Sequence, residues 1–307
     1  MKYARALIAI LTLTFTATAQ NNNEKNNSAN GPANVVSTTT AASRPLTPVE
    51  KFNAEGVKKT LEEKNYEEAT ALFREAVKSD PSCSLCYYNL GMSLLNCGKA
   101  DEAIKVFKEI TDREPKFANG YSGLGDAYTK KGLFPESVSA YQRAAELAPT
   151  DDVIIANLGN ALFQVKNFEA SLIALDKAVK LNPKSALAHS NRGSTLFVLG
   201  RYKESVASLR KAMELQPSLP ETLNNLGVAL GAVGKQKEAH SLFLEANRLR
   251  PDWPEAKYNL AMSYMELGDK NDARKELYAL DRLDFNLAEK ARKTIFGKFL
   301  IDVSEAK

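Results

Sequence analysis

The sequence predicts an all-α fold in which antiparallel helix pairs stack in a line. Three observations predict it. Six prolines stand thirty-four residues apart, at Pro81, Pro115, Pro149, Pro183, Pro217 and Pro251, a period that marks one supersecondary unit copied along a chain. Glycines recur in phase with them: Gly91, Gly125, Gly159, Gly193 and Gly227 in one column, Gly98, Gly132, Gly200, Gly234 and Gly268 in another. Apolar residues return at helical spacing on both sides of the second column, as in Leu90 and Leu94, then Ile104 and Phe107. Such a stack offers a long surface, so binding is expected before chemistry.

The elements follow in order. Lys2 and Arg5, the apolar run Ala6 to Thr16, and Ala17-Thr18-Ala19 predict a secretory signal peptide over 1–19, cut before Gln20. The run is shorter than the roughly 20 residues of a spanning helix, although an uncleaved anchor is the alternative. The mature chain is therefore expected to be secreted or periplasmic, without an integral membrane segment. Residues 20–47 are rich in Asn, then in Ser, Thr, Ala and Pro. They have little to bury and are expected to form a disordered tether. Thr47, Pro48 and Glu50 have the spacing of a capping box with proline at the first helical position.

Counted from thirty-one residues before each proline, the units are 50–83, 84–117, 118–151, 152–185, 186–219, 220–253 and 254–287. Each is expected to hold a helix A and a helix B. The glycine at the fifteenth position ends helix A, where a left-handed turn is cheap for glycine. The glycine at the eighth and the small residue at the twentieth (Ala69, Ala103, Ser137, Ser171, Ser205, Ala239, Ala273) let the two helices approach. The alanine at the twenty-seventh (Ala76, Ala144, Ala178, Ala212, Ala246, with Ile110 as the exception) does the same for the next unit. Unit 1 departs, with Val57 at the eighth position and Lys64 at the fifteenth. Unit 7 ends with Phe285 where the proline would stand. A last helix is expected from 288 to about 303, with Ile295, Phe296, Phe299, Leu300 and Val303 on one face.

This pattern resembles the tetratricopeptide repeat. Unit 3 carries it almost whole in Tyr121, Leu124, Gly125, Tyr128, Ser137, Tyr141, Ala144 and Pro149. The resemblance implies a right-handed superhelical solenoid of seven repeats (48–287), closed by a capping helix (288–307 with its tail). It also implies that the A helices line the inner wall, so that positions 2, 5, 6, 9, 12 and 13 face a groove for a protein or peptide partner. Position six is the most regular: Asn89, Asn157, Asn191, Asn225 and Asn259, interrupted by Gly123. An amide offers a donor and an acceptor, the match for a peptide main chain. With A helices about 10 Å apart and an extended strand rising about 3.3 Å per residue, one Asn could meet every third residue. The arrangement is similar to the asparagine ladder in the superhelical arm of O-GlcNAc transferases, without their catalytic domain. The alternative is that these amides only hold the neighbouring unit. Leu85, Tyr88, Met92 and Leu95 of unit 2, Phe163 and Phe197 at position twelve, and Tyr258, Met262 and Met265 of unit 7 are expected to add an apolar lining. The lysine clamp of the family's chaperone-tail binders is missing, since position five reads Ala54, Tyr88, Ser122, Ala156, Ser190, Asn224 and Tyr258.

Little in the chain suggests catalysis. The formal charge is +4, of which Lys2 and Arg5 contribute two, leaving +2 with the signs interspersed. No basic stripe for nucleic acid is evident. His189 and His240 lie in different units, so no metal spacing exists, and no catalytic residue or cofactor is expected. Gly120, Gly123 and Gly125 are close together but carry no phosphate-loop pattern. Cys83-Ser84-Leu85-Cys86 enters a helix at the junction of units 1 and 2. It is open to three readings: a local disulfide, two thiols, or a thiol–disulfide exchange couple. Cys97 lies eleven residues beyond Cys86, about 16 Å along a helix, too far to bond. A scaffold that binds a partner is the expected function. A self-assembling structural envelope protein, and so a homo-oligomer, is the alternative.

Overall fold

The computed structural model describes residues 45–294. The signal peptide, nearly all of the tether, and the apolar residues from Ile295 onward lie outside them. Among the described residues there is no strand. Helix α1 (Pro48–Leu61) is followed by α2 (Tyr66–Ser79), α3 (Ser84–Asn96) by α4 (Ala100–Arg113), α5 (Ala118–Lys130) by α6 (Phe134–Leu147), and α7 (Asp152–Gln164) by α8 (Phe168–Leu181). The series continues with α9 (Ala186–Val198), α10 (Tyr202–Leu215), α11 (Pro220–Ala232), α12 (Gln236–Leu249), α13 (Pro254–Leu267) and α14 (Lys270–Leu283). Residues 285–294 are helical and begin α15. The chain divides into two compact bodies, 45–174 and 175–294, the division falling within α8.

The turn between helices A and B is nearly identical from unit to unit. At its fifteenth position Gly98, Gly132, Gly200, Gly234 and Gly268 have φ between 71° and 88°. The next N–H then reaches back five residues to a carbonyl of helix A, as in Lys99 to Leu94 (2.8 Å), Leu133 to Tyr128 (2.9 Å) and Arg201 to Leu196 (2.9 Å). This is a Schellman closure, which satisfies carbonyls left open at a helix end. Lys64 and Lys166 adopt the same left-handed conformation, at φ 52° and 61°. The backbone imposes the turn even where glycine is absent.

The small residues do more than make room. Ser137, Ser171 and Ser205 are fully buried on helix B. Each donates its hydroxyl to the carbonyl of the eighth-position glycine on helix A: Gly125 (3.0 Å), Gly159 (2.7 Å) and Gly193 (2.7 Å). Against Gly91, Gly125, Gly193 and Gly227 lie Phe107, Tyr141, Leu209 and Phe243 of the partner helix, so close that a Cβ would come within 2.4–2.9 Å of them.

Unit 1 corrects the sequence expectation. The glycine against the partner ring there is Gly56, not its neighbour at the eighth position: a Cβ on it would lie 2.6 Å from Phe73. Helix α1 is offset by one residue, and the turn absorbs the difference, its closing bond running six residues back from Asn65 to Lys59 (3.0 Å). The exception at position twenty-seven is also explained. Ile110 is 1% exposed where other units carry alanine, and facing it stands Gly120, whose added Cβ would sit 3.3 Å from the Ile110 side chain. Gly123 breaks the asparagine series because Phe107 occupies that space; a Cβ would meet its ring at 2.3 Å.

Helix α15 starts at residue 285, three residues before the expected start at 288. No proline stops it, and the Asp284 carboxylate accepts from the Leu287 N–H (2.9 Å), capping the new helix as it leaves α14. Ala288 and Ala291 pack fully buried against Tyr258, Met262 and Leu280. Arg292 pairs with Asp281. The core of the first body gathers Phe73, Leu90, Leu94, Phe107 and Leu124, and that of the second Leu209, Leu226, Leu230, Phe243 and Leu260.

Candidate functional site

Each A helix touches more than its own B helix. Helix α3 also contacts α1 and α5, and α11 contacts α9 and α13. Positions five, six and nine therefore lie between successive A helices, and the open face is narrower than a single helix suggests. Phe197 is 4% exposed, Tyr258 5%, Leu95 6% and Met262 3%. These four are interior, which corrects the expectation that they line a groove. Phe197 packs on Tyr202 at 5.0 Å between ring centroids and Phe163 on Phe168 at 5.0 Å. Both aromatics thus wedge the turn of their own hairpin. Tyr88, Met92, Phe163 and Met265 are half-buried.

The asparagines divide into two groups. In the first body the Asn89 amide donates to the Asn53 amide oxygen on α1 (2.9 Å). Asn157 is half-buried, and its amide makes no hydrogen bond among the described residues. In the second body Asn259 donates to Asn224 (2.8 Å) and Asn225 to the Ser194 hydroxyl (3.1 Å). Ser194 in turn donates to the Ser190 carbonyl (3.1 Å), so it can only accept from Asn225, which fixes that amide's orientation. Asn191 and Asn225 are 3% and 2% exposed. Nδ2 of Asn191 and Oδ1 of Asn225 are buried without a partner. One repeat apart, then, lie an unpaired donor and an unpaired acceptor. Leaving such groups unmade costs about 1–3 kcal/mol each, and native structures hold few of them.

Sequence reasoning missed two polar features. Asp126, at position nine of unit 3, accepts from the Tyr141 hydroxyl at 2.5 Å. Burial pushes its carboxyl up to about 6, against the pull of the Tyr141 hydrogen bond and of Lys130. Burial likewise raises the Tyr88 phenol, with the Asp126 and Asp151 charges adding to it. The signal available was the Asp at a column filled by Met92, Asn160, Ser194, Val228 and Met262 in the other units after the first. Lys257, 9% exposed, reaches the half-buried Glu276 (3.2 Å) and the Asn247 amide (3.1 Å), a partly buried ion pair joining α12, α13 and α14.

The two histidines serve packing. His189 meets the Pro183 carbonyl (3.1 Å), and His240 meets the Ser263 hydroxyl (2.9 Å) with its ring edge-on to Tyr264 (4.6 Å). Desolvation lowers both imidazoles. Among the described residues no three His, Cys, Asp or Glu side chains gather as a metal would need. None of the described helices is long and apolar enough to cross a membrane. Cys83 and Cys86 are joined as a disulfide, and Cys97 is a free thiol 3.7 Å from the Thr70 hydroxyl.

Family models described as tetratricopeptide repeat match residues 61–116, 88–152, 154–185, 221–250 and 254–287, and one described as TPR repeat matches 193–234. No curated protein matches the chain. Among solved structures, Cut9 in the APC/C hetero-tetramer Cut9-Hcn1 aligns with a TM-score of 0.68 at 17% identity, over 80% of this chain and 52% of that one. The chain thus spans about half the length of that relative. A tetratricopeptide repeat protein from Parabacteroides merdae aligns at 0.62 and 14% identity, over 81% and 99% of the two chains. Pseudomonas aeruginosa pilF aligns at 0.60 and 16%, over 73% and 98%. At these identities the likeness is one of fold, and it agrees with an all-α array of helix pairs. With repeat models matching in series from residue 61 to residue 287, the chain belongs to the tetratricopeptide repeat family.

Proposed function

We propose that the protein is a scaffold that binds a partner as an extended segment, gripping its main chain with side-chain amides of the A helices in the second body. The observation that carries this reading is the unpaired donor of Asn191 and, one repeat on, the unpaired acceptor of Asn225. An extended main chain carries both complements, a C=O for Asn191 and, about three residues along, an N–H for Asn225. Both atoms are buried, so flanking side chains on α9 and α11 must move for the segment to seat. The free amide of Asn157 is a candidate for the same role in the first body. A main-chain grip tolerates varied side chains, which suits a scaffold. The first nineteen residues would direct this activity outside the cytoplasm.

The test begins with peptides selected for binding from a random displayed library. Asn191→Ala combined with Asn225→Ala removes two hydrogen bonds of about 1 kcal/mol each, so affinity is expected to fall roughly 30-fold. Thermal unfolding should show an intact fold. Selected peptides that bind the double variant as tightly as the parent would remove the amide grip from the account.

A further inference from the structure

The Cys83–Cys86 disulfide sits where a structural staple is least needed. The same junction recurs in every unit, and Phe117, Asp151, Ser185, Leu219 and Trp253 hold the place of Cys83 in the next five. Those repeats stack without a covalent link. The bond closes a loop of only three residues in sequence separation, and short loops restrain the unfolded chain least.

Its setting suits exchange instead. Cys86 is 1% exposed, shut inside the hairpin, while Cys83 is part-exposed beside the exposed Pro81 and Ser82. An incoming thiol can therefore reach one sulfur and not the other. Cys83 is also the N-cap of α3, and its sulfur accepts the Cys86 N–H at 3.2 Å. Negative charge on that sulfur is stabilised by the N–H and by the positive end of α3. The neighbouring acid, Asp80, is already engaged by the Ser82 N–H (2.9 Å) and hydroxyl (2.6 Å). From α4, the Arg113 guanidinium holds the Pro81 carbonyl and donates to the Tyr87 hydroxyl (2.7 Å) while pairing with Glu109 (3.5 Å), and the Glu114 carboxylate accepts from the Ser84 hydroxyl, so α4 sets a cation on the Pro81 side of the loop and an engaged carboxylate on the Ser84 side.

We propose that Cys83–Cys86 is a redox couple that oxidises a client dithiol. A client thiolate attacks the Cys83 sulfur, the bond to Cys86 breaks, and Cys86 leaves as a thiolate that takes up a proton. The second client thiolate then attacks the client sulfur of the mixed disulfide. Cys83 departs as a thiolate at the helix N-terminus. The client gains one disulfide and the protein two thiols, two electrons having passed between them. A small-molecule disulfide of the glutathione class returns the couple to its starting state.

The experiment equilibrates the intact protein with mixtures of reduced and oxidised glutathione and reads the Cys83 and Cys86 thiols by alkylation and mass. Half-reduction is expected within those mixtures. In a Cys86→Ser, Cys97→Ala protein, alkylation of Cys83 should show a midpoint at least one pH unit below the ordinary thiol value of about 8.5. A disulfide that stays oxidised in every glutathione mixture overturns the proposal. So does a Cys83 midpoint at or above the ordinary value. If the variant fails to fold, the titration of the parent protein decides alone.

Discussion

Lys166 pays a conformational cost that five of its counterparts avoid. It is held at φ 61° at the turn between α7 and α8, where glycine stands in most units. Lys166→Gly is expected to stabilise the protein by about 1 kcal/mol, read as a higher urea midpoint. Gly91 is constrained in the opposite sense. Its missing Cβ leaves room for Phe107, which is fully buried and also pressed against Gly123. Gly91→Ala should cost about 2–3 kcal/mol by overpacking. Phe107→Leu should recover part of that loss, because Leu209 fills the same position opposite Gly193. Asp126 makes stability depend on pH. Its carboxyl is raised in the fold to about 6 from 3.8, so between those values the folded state holds a proton that the unfolded state has lost. Stability from this group is therefore expected to fall as pH rises from about 4 to 6, and to stay lower above that. Asp126→Asn should flatten that part of a plot of urea midpoint against pH; a slope left unchanged would show that Asp126 is not its source.

At the scale of the helix, hairpin and turn, much was legible in the residues. The proline period and the glycine columns place the helix pairs because each marks a backbone event: a left-handed turn, a close crossing, a helix end. What the columns could not give was anything decided by two elements at once. Gly56 replaces the eighth-position glycine only because the α1–α2 turn absorbs an extra residue. Ile110 fits where Gly120 faces it from α5, a Cβ there meeting Phe117 at 3.0 Å, Thr111 at 3.1 Å and Ile110 at 3.3 Å. That pairing can be tested with a double-mutant cycle. Ile110→Ala alone should leave a cavity costing about 2–4 kcal/mol, and Gly120→Ala alone should crowd the interface. Together they recreate the small pair seen at Ala246 and Ala256, both fully buried. The double variant should be more stable than the sum of the single losses by at least 1 kcal/mol; additive losses would contradict the pairing. The candidate site was less legible for the same reason. A wheel drawn for one A helix has one packed side. The real helix has neighbours before and after it, and these bury Phe197 and Tyr258.

Across the whole molecule, the repeat family explains the internal order: each unit buries its apolar face against the next. It does not by itself explain why polar atoms remain unpaired inside that order. Asn191 and Asn225 stand out because their neighbours satisfy one another, Asn259 with Asn224 and Ser190 with Thr222 (3.1 Å). The amide reading makes the main chain of the partner, not its side chains, the recognised feature. The most direct measurement is an N-methylation scan of a selected peptide, one backbone nitrogen at a time. The account predicts that one or two methyl groups weaken binding at least tenfold to the parent protein and have far less effect on the Asn191→Ala, Asn225→Ala variant. A scan in which no single methyl group matters, or in which both proteins respond alike, would contradict it.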